Sequence, residues 1–455
     1  MTIADQAMPS PMPMRSTQAT KLVGTVRVPG DKSMSHRALI LGTLAEGTTA
    51  IHGLLEGEDV LATAEAMRQF GATITRTDQG VWQIEGMGVG CLLEPEGVID
   101  CGNAGTGVRL IMGMAAAYPF ASTFTGDASL RRRPMRRVLE PLELMGAQVL
   151  AREGGLLPLT LRGNAPPLPI EYTVPVPSAQ VKSAILLAAL STEGTTTVIE
   201  PTPTRDHSER MIKGFGGSIS AQIDENGARI ITVQGGKPLA AQEVTIPADP
   251  SSAAFPLVAA LVVPDSEVTV QDVMLNPTRT GLLTTLQEMG ANLTIENRRA
   301  DGGEELADIT ARFSKLKGVT VPADRAPSMI DEYPILAIAA AFAEGETHMP
   351  GLHELRVKES DRLSAVVAGL DVNGVDTESG EDWMTVTGKS GAVPGGGLVL
   401  THLDHRIAMA FLVMGLASEQ PVSVDDGDVI ATSFPAFQGL MKGLGASISS
   451  TSNDG

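Results

Sequence analysis

The stretch LQEMGANL, residues Leu286–Leu293, combines the features that decide the fold. Apolar residues recur at helical spacing, a glycine follows them, and a small residue leads into apolar sequence typical of a strand. A glycine that takes the left-handed conformation is a common end of a helix. The pattern therefore predicts a helix that ends at Gly290 and turns directly into a strand.

The same pattern occurs five more times along the chain. It reads MRQFGATI, LELMGAQV, IKGFGGSI and MKGLGASI in four clear copies, and AGLDVNGVD in a degenerate copy. The glycines of the six copies are Gly71, Gly146, Gly216, Gly290, Gly374 and Gly445, with spacings of 75, 70, 74, 84 and 71 residues. A repeat at this period predicts six copies of one structural unit.

A second series of six segments lies out of phase with the first. In each, polar turn residues lead into a helix rich in Ala, Leu and Met, as in GNAGTGVRLIMGMAAA and LDHRIAMAFLVMGLA. Their markers are Lys32, Asn103, Ser178, Asp249, Ser328 and Asp404, which are 71 to 79 residues apart. Segments rich in β-branched residues follow these helices. Each unit is therefore predicted as a βαβαββ repeat of about 75 residues.

Six such units predict an α/β protein with two lobes of three units each. We assign residues 1–20, rich in Met, Pro, Ser and Thr, to a flexible N-terminal tail. Residues 28–246 are expected to form one lobe, and residues 21–27 together with 247–455 the other. A β-propeller is the main alternative for six repeats, but propeller blades are about 40–50 residues long and lack helices.

Composition excludes several classes of function. The 455 residues carry a net charge of −19, which disfavours binding to nucleic acid or to an anionic membrane. Two cysteines exclude a disulfide scaffold, and the seven histidines are scattered, so we expect no metal and no cofactor. Apolar runs fall short of the roughly 20 residues that a membrane span needs.

Basic residues lie beside several predicted helix starts. Lys32 and Arg37 belong to the first, Arg406 belongs to the sixth, and the segment 131–137 reads RRRPMRR. Lysine and arginine are disfavoured in the first turn of a helix unless an anion binds there. We therefore expect several helix starts to converge on a cleft for phosphates or carboxylates. Asp331 and Glu332 precede a very apolar helix, and we expect burial to raise the pKa of one of them, which suits a general base.

Together these motifs resemble the enolpyruvyl transferases, most closely the branch that uses shikimate 3-phosphate. The matching stretches are PGDKSMSHR, GNAGTGVRL, RRPM (Arg132–Met135), PSAQVKSAILLAAL, TRDHSE, DEYPILA, LRVKESDRL and DHRIAMA. The resemblance implies a two-lobed inside-out α/β barrel of six βαβαββ repeats, three per lobe. It also implies an enzyme that transfers the enolpyruvyl group of phosphoenolpyruvate to the 5-hydroxyl of shikimate 3-phosphate and releases phosphate.

The resemblance also implies roles for individual residues. Those expected to bind shikimate 3-phosphate are Lys32, Ser33, Arg37, Ser178, Ala179, Gln180, Arg205, Asp331 and Lys358. Those expected to bind phosphoenolpyruvate are Lys32, Gly105, Arg133, Gln180, Arg362 and Arg406. Lys32, Asp331 and Glu359 are expected to be catalytic, with Asp331 accepting the 5-hydroxyl proton and Glu359 protonating the methylene carbon.

Several positions depart from the best-known members of the family. Ala179 stands where many members have serine, Arg205 where many have tyrosine, and Glu354 where a substrate-binding asparagine is common. A lysine expected near IATSFP (430–435) is absent. These features are similar to the second class of the family, whose glyphosate-tolerant members can carry alanine at the position of Gly105. Glycine leaves room for glyphosate, so we expect glyphosate to inhibit this protein.

Two alternatives remain open at this stage. UDP-N-acetylglucosamine 1-carboxyvinyltransferase has the same fold, but its reactive cysteine is missing from the matching loop, 126–134. A non-catalytic repeat scaffold that binds an anionic metabolite would show no turnover. We expect a monomer that works in the cytoplasm.

Overall fold

Two helices belong to each of the six predicted units. The computed structural model describes residues 11–301 and 303–450, and this part of the chain contains twelve α-helices. They are α1 (Lys32–Leu44), α2 (Glu58–Gln69), α3 (Gly105–Ala115), α4 (Arg136–Leu144), α5 (Ala179–Ala189), α6 (His207–Gly214), α7 (Pro250–Val262), α8 (Gly281–Glu288), α9 (Tyr333–Phe342), α10 (Arg362–Val372), α11 (His405–Gly415) and α12 (Phe437–Gly443). The predicted number of helices per unit is confirmed.

The second helix of every unit ends at its predicted glycine. The six glycines after α2, α4, α6, α8, α10 and α12 have φ angles from +76° to +107°. After α2, for example, the Gly71 amide donates to the Arg68 carbonyl at 2.9 Å and the Ala72 amide to the Met67 carbonyl at 3.2 Å. These are the hydrogen bonds of a Schellman helix end, which favours glycine because a Cβ would strain this backbone.

Among the described residues, three sheets surround the first of two hydrophobic cores. The first contains β14 (Leu239–Ala240), β15 (Glu243–Thr245), β3 (Ala45–His52), β5 (Trp82–Met87) and β4 (Thr73–Arg76). The second has the order β6 (Val98–Asp100), β7 (Ala121–Thr125), β9 (Leu156–Arg162), β8 (Gln148–Arg152). The third has the order β10 (Glu171–Thr173), β11 (Thr195–Glu200), β13 (Arg229–Gln234), β12 (Ser218–Ile223).

Three more sheets surround the second core. One has the order β17 (Asn292–Asp301), β18 (Glu304–Arg312), β16 (Glu267–Met274), β2 (Val23–Val26). Another has the order β19 (Glu346–Pro350), β21 (Trp383–Thr387), β20 (Thr377–Ser379). The last has the order β22 (Leu398–Val399), β23 (Val422–Val424), β1 (Met14–Thr17), β24 (Ser447–Ser450). The predicted α/β architecture of six units, three around each core, is confirmed.

The two cores define two lobes. The first lobe packs around buried residues between Met34 and Ile246, joined by Met274 and Leu306. The second lobe packs around buried residues between 14 and 28 and between 248 and 448. The exact residue bounds that the sequence suggested for the lobes stay a prediction.

The chain enters the first lobe and leaves it through two adjacent segments. Strand β2 pairs in parallel with β16 of the second lobe, whereas β15 pairs in parallel with β3 of the first. Between them, the Asp31 amide donates to the Pro247 carbonyl at 2.8 Å, and the Asp249 amide donates to the Pro29 carbonyl at 2.9 Å. The crossings therefore run side by side, antiparallel, beneath the space between the lobes.

The expected flexible tail over residues 1–20 is wrong for its last part. Residues Met14–Thr17 form strand β1, which lies between β23 and β24 and pairs antiparallel with both. Met14 and Ser16 are buried. Up to residue 450, where the described part of the chain ends, the C-terminal unit provides one strand after its second helix, and the N-terminal segment supplies the strand between β23 and β24. Residues 1–10 of the predicted tail lie outside the described residues.

Candidate active site

The starts of the first helices meet at one cavity between the lobes. The cavity has a volume of about 330 Å³, within the usual range of small-molecule sites. It is lined by the first turns of α1, α3, α5 and α11 and by residues just before α7 and α9. The predicted site residues that line it are Lys32, Ser33, Arg37, Gly105, Arg133, Ser178, Ala179, Gln180, Arg205, Asp331, Lys358, Glu359 and Arg406.

Four cations surround Asp331. Arg205 Nη2 of the first lobe donates to Asp331 Oδ2 at 2.8 Å, and Arg362 Nη1 donates to Oδ1 at 3.1 Å. Lys358 Nζ lies 3.5 Å from Oδ1, and Arg406 Nη1 donates to the Asp331 carbonyl at 3.1 Å. Burial alone would raise the pKa of the Asp331 carboxyl, but the four cations outweigh it and hold the pKa well below its usual value.

The expectation that burial raises the pKa of this carboxyl is therefore wrong for Asp331. The sequence shows the apolar helix that follows but not the cations, which are brought in from 126 residues before and up to 75 residues after it. In this structure Asp331 is an ionised carboxylate at neutral pH.

Glu359 lies in a second group of charges beside the first. Arg133 Nη2 of the first lobe is 3.3 Å from Glu359 Oε1, and Arg362 Nη2 donates to Oε2. The Ser129 hydroxyl donates to the Glu359 carbonyl at 3.1 Å. Burial opposes ionisation of Glu359, but Arg362 and then Arg133 hold its pKa well below the usual value. Glu359 thus touches both lobes.

Arg362 lies behind the cavity lining rather than in it. Its side chain is 1% exposed, and its Nε donates to Asp404 Oδ2 at 2.7 Å. Asp404 also caps α11 through the Arg406 amide, at 3.0 Å. The guanidinium therefore joins the Asp331 carboxylate, the Glu359 carboxylate and the start of α11.

Lys32, at the first turn of α1, forms an ion pair with Asp59 at the start of α2. The Asp59 side chain is 3% exposed, and burial raises the pKa of its carboxyl. The Lys32 side chain keeps 17% exposure toward the cavity. A pair with one buried and one accessible partner leaves the ammonium free to contact an anion in the cleft.

Arg37, one helical turn after Ser33, is buried without a carboxylate in contact among the described residues. Its Nη1 donates to the Ser33 carbonyl at 2.8 Å, its Nε to Ser208 Oγ at 2.7 Å and its Nη2 to Ser183 Oγ at 2.8 Å. Burial lowers the pKa of Arg37 to about 10. Neutral acceptors fix the guanidinium and leave its charge for an anion.

The residues Ser178 and Ala179 form the start of α5. The Ser178 hydroxyl accepts a hydrogen bond from the Val181 amide at 3.4 Å, and both residues line the cavity. The unpaired amides of this helix start favour a negative group.

The starts of α3 and α5 are joined by a polar network. Gln180 Oε1 accepts from Arg109 Nη1 at 2.9 Å, and Gln180 Nε2 donates to Thr106 Oγ1 at 3.0 Å. Gly105 leaves room for the present position of the Arg133 guanidinium, because a Cβ there would lie 2.3 Å from Arg133 Nη1 and 3.3 Å from Arg109 Nη1. Arg109, one of the basic residues that the sequence places at a predicted helix start, also lines the cavity, and burial lowers its pKa to about 9.

The sequence motifs also missed a buried cluster at the floor of the cavity. Arg279 contacts both Asp31 and Asp249, and all three line the cavity. Asp31 could have been recognised from the sequence, because it lies beside Lys32 in the motif GDKS. Arg279 could not, because its partners lie 248 and 30 residues away along the chain.

One group of buried side chains has the spacing of metal ligands. In Asp206, His207 and Glu304 one potential ligand atom from each lies within 4.8 Å of the others. Protein donors already occupy its oxygens, since Asn276 Nδ2 donates to Asp206 Oδ1 at 2.7 Å and to Glu304 Oε2 at 3.1 Å, and Arg210 Nε donates to Asp206 Oδ2 at 2.9 Å. The Asn276 amide satisfies these oxygens with hydrogen bonds and Arg210 supplies the opposite charge, so the group fits a structural network between the lobes better than a metal site. Within residues 11–301 and 303–450, none of the helices has the length and apolarity needed to cross a bilayer.

Comparisons with known proteins agree with this geometry. The sequence profile of EPSP synthase (3-phosphoshikimate 1-carboxyvinyltransferase) matches residues 16–441. The chain belongs to the EPSP synthase family. A relative named 3-phosphoshikimate 1-carboxyvinyltransferase from Chelativorans sp. (strain BNC1) is 64% identical over 438 residues, covering 96% of this chain and 97% of its own. One from Paracoccus denitrificans (strain Pd 1222) is 59% identical, with coverage of 96% and 98%.

Solved structures show the same fold. The 2.37 Å structure of EPSP synthase from Acinetobacter baumannii has a TM-score of 0.85 and 43% sequence identity, and the match covers 97% of this chain and all of that one. The predicted enolpyruvyl transferase family and its two-lobed barrel are confirmed. The chain is an enzyme, a transferase of the shikimate pathway.

Proposed function

We propose that the cavity binds shikimate 3-phosphate and phosphoenolpyruvate together and transfers the enolpyruvyl group to the 5-hydroxyl. One observation carries the proposal: cations from both lobes converge on two carboxylates, Asp331 and Glu359, at one cavity between the lobes. Cations exceed carboxylates there, as two anionic substrates require. Family membership supplies the identity of the reaction.

Shikimate 3-phosphate binds on the first-lobe side of the cavity. Its phosphate takes the buried charge of Arg37 and the start of α5, and the ring contacts Lys358 and Asp331. The full set of residues in this role is Lys32, Ser33, Arg37, Ser178, Ala179, Gln180, Arg205, Asp331 and Lys358. This assignment is supported by the position of these residues, because each of them lines the cavity.

Phosphoenolpyruvate binds between Arg133 of the first lobe and Arg362 and Arg406 of the second. Guanidinium groups bind carboxylate and phosphate with paired hydrogen bonds. Arg133 and Arg406 line the cavity, and Arg362 lies directly behind the lining, where it is bonded to Asp331 and Glu359. The full set in this role is Lys32, Gly105, Arg133, Gln180, Arg362 and Arg406. The bare backbone of Gly105 lets the substrate approach the two arginines beside it.

The chemistry needs one base, one acid and fixed positive charge. Asp331 takes the proton of the 5-hydroxyl as its oxygen bonds to C2 of phosphoenolpyruvate, and Glu359 gives a proton to the methylene carbon. The product of this step is a tetrahedral ketal phosphate. Glu359 then removes a methyl proton as the bond from C2 to the phosphate oxygen breaks, which yields the enol ether and phosphate. Lys32 stabilises the negative charge on the transferring phosphate.

Binding of phosphoenolpyruvate raises the pKa of Glu359, so that the carboxylate takes up a proton. Arg133 and Arg362 depress the pKa of Glu359 in this structure, and they are also the proposed ligands of phosphoenolpyruvate. An anion that takes these guanidinium groups removes their stabilisation of the Glu359 carboxylate. The pKa then rises toward the working pH, so Glu359 becomes a proton donor only when the substrate is present.

Three further properties follow from this proposal. Glyphosate, a phosphonate with a carboxylate, inhibits the enzyme by occupying the phosphoenolpyruvate site beside Gly105. The enzyme acts as a monomer, because both lobes of the active cleft come from one chain. It works in the cytoplasm, a proposal that rests on its family.

Phosphate release with both substrates tests the proposal. We expect Asp331→Asn and Glu359→Gln to lower kcat by about 10²- to 10⁴-fold, the usual contribution of a general acid or base. Asp376→Asn and Glu305→Gln are matched controls in exposed ion pairs and should keep full activity. Wild-type protein without turnover would instead support an anion-binding scaffold, and turnover retained in both cleft variants would contradict the assigned roles.

A further inference from the structure

The crossings between the lobes carry one acidic residue each. Asp31 Oδ1 accepts from the Met34 amide at 2.7 Å and caps α1 of the first lobe. Asp249 Oδ1 accepts from the Ser251 amide at 2.8 Å and caps α7 of the second lobe. A change in the angle between the lobes must bend these paired segments, and it moves one helix start relative to the other.

A single guanidinium holds both carboxylates. Arg279 Nη1 donates to Asp31 Oδ2 at 2.7 Å, and Arg279 Nη2 donates to Asp249 Oδ1 at 3.0 Å and to Ser251 Oγ at 2.9 Å. The side chains of Arg279, Asp31 and Asp249 are 2%, 1% and 6% exposed. The planar fork of arginine reaches two acceptors at once with fixed geometry, which a lysine ammonium does not reproduce.

This group connects to the residues proposed for the chemistry. Asp31 precedes Lys32 directly, so the position of the α1 start sets the position of the Lys32 ammonium. On the other side, the Ser251 hydroxyl that accepts from Arg279 donates to Glu332, the neighbour of Asp331. Arg279 is therefore bonded to the segment that carries Lys32 and, through Ser251, to the segment that carries Asp331.

We propose that Arg279 is a positioning residue that clamps the two crossing segments and so fixes Lys32 of the first lobe relative to Asp331 of the second. This inference rests on the function proposed above for those two residues. Both arms of the Arg279 fork are occupied by protein groups, so it acts through them. The cost of removing both charges from water offsets much of the attraction in a buried ion pair, so net stability alone does not account for this one.

The decisive variant is Arg279→Lys, which keeps the buried charge but loses the fork. Spin labels on the exposed Cys91 of the first lobe and on a cysteine introduced at the exposed Glu378 of the second report the distance between the lobes, while Cys101 is buried. With shikimate 3-phosphate bound, we expect a broader distance distribution than in wild type. We expect kcat to fall by about 10²-fold, the loss that a misplacement of about 1 Å produces.

Two comparisons make this test specific. Arg312→Lys changes a fork that binds Glu267 within the second lobe, and it should leave both readouts unchanged. Lys32→Met should keep the wild-type distance distribution and lose turnover. If Lys32→Met keeps turnover, the proposed chemistry is wrong. The distance measurement on Arg279→Lys would still test whether Arg279 fixes the orientation of the two lobes.

Asp31→Asn is a second route to the same answer. Asparagine still caps a helix, so α1 is preserved while one half of the clamp loses its charge. We expect a smaller broadening and a smaller loss of kcat than in Arg279→Lys. Wild-type distances and kinetics in both variants would overturn the proposal. Failure of both variants to fold would also overturn it, because Arg279 would then act on the stability of the fold rather than on the orientation of the lobes.

Discussion

Two groups of buried charges in this molecule look alike but differ in what they face. In the cleft cluster, Asp331 and Glu359 contact cations from both lobes, and the side chains of the two acids are 14% and 17% exposed to the cavity. In the buried lysine cluster, Lys182 Nζ lies 2.8 Å from Glu200 and 2.9 Å from Glu209, all within the first lobe. The lysine is 0% exposed.

The difference separates charges that serve the substrate from charges that serve the fold. The cleft cluster contains more cations than acids, and two of its cations, Arg133 and Arg205, reach across the cavity from the first lobe, so arriving anions can replace the protein carboxylates. The buried lysine cluster joins α5, β11 and α6 of one unit, where neither water nor substrate can compensate a missing partner. A mutation in the buried lysine cluster should therefore lower the stability of the fold, whereas a mutation in the cleft cluster should change ligand binding and turnover.

The largest effect on stability is expected for Lys182→Met. It leaves Glu200 and Glu209 buried without their shared cation, which should lower the free energy of unfolding by about 3–5 kcal/mol. Chemical denaturation measures this loss, while the KM values of the folded fraction should stay near wild type. Lys389→Met is the matched control, because its pair with the exposed Asp376 should contribute only about 0–1 kcal/mol. Equal stability of both variants would contradict the distinction.

A smaller effect is expected for Gly105→Ala, which perturbs the cleft cluster without removing a charge. The new Cβ would lie 2.3 Å from Arg133 Nη1, so the guanidinium must shift. We expect the inhibition constant for glyphosate to rise about tenfold, or about 1.4 kcal/mol, with a lesser rise in the KM for phosphoenolpyruvate. In Gly439→Ala the Cβ meets nothing within 4 Å, so both constants should stay unchanged. Equal inhibition constants in Gly105→Ala and wild type would show that glyphosate does not bind beside Gly105.

The smallest signal, less than one proton per site, concerns the pKa of Glu359. Phosphoenolpyruvate that takes Arg133 and Arg362 should raise this depressed pKa, and a group whose pKa rises on binding takes up a proton. The uptake should grow as pH falls toward the raised pKa. Calorimetry in two buffers of different ionisation heat measures it, with a shikimate 3-phosphate analogue that lacks the 5-hydroxyl to prevent turnover. Glu359→Gln should abolish the uptake, and proton release by wild type would contradict the proposed acid.

The success of the sequence predictions depended on how local their signals were. Gly290 and its five counterparts could be recognised because a left-handed helix end depends on a few adjacent residues. The cavity residues could be predicted because motifs such as GDKSMSHR and DHRIAMA lie at helix starts. The repeated units place these helix starts around one cavity. Their individual roles stay predictions.

Other features left no local trace. Strand β1 is only four residues long and has the composition of a tail, and it is a strand because β23 and β24 leave a gap that it fills. The lowered pKa of Asp331 and the contacts of Arg279 also depend on partners far away in the chain.

The sequence by itself determined the six repeats, their helix ends, the family and the residues that gather in the cleft, because each of these is written in short stretches of neighbouring residues. The tertiary structure alone decided which charges pair across the lobes, the ionised state of Asp331 and Glu359, and the place of the N-terminal strand. Pairing energies fall steeply with distance and grow with burial, and neither quantity exists until the chain has folded.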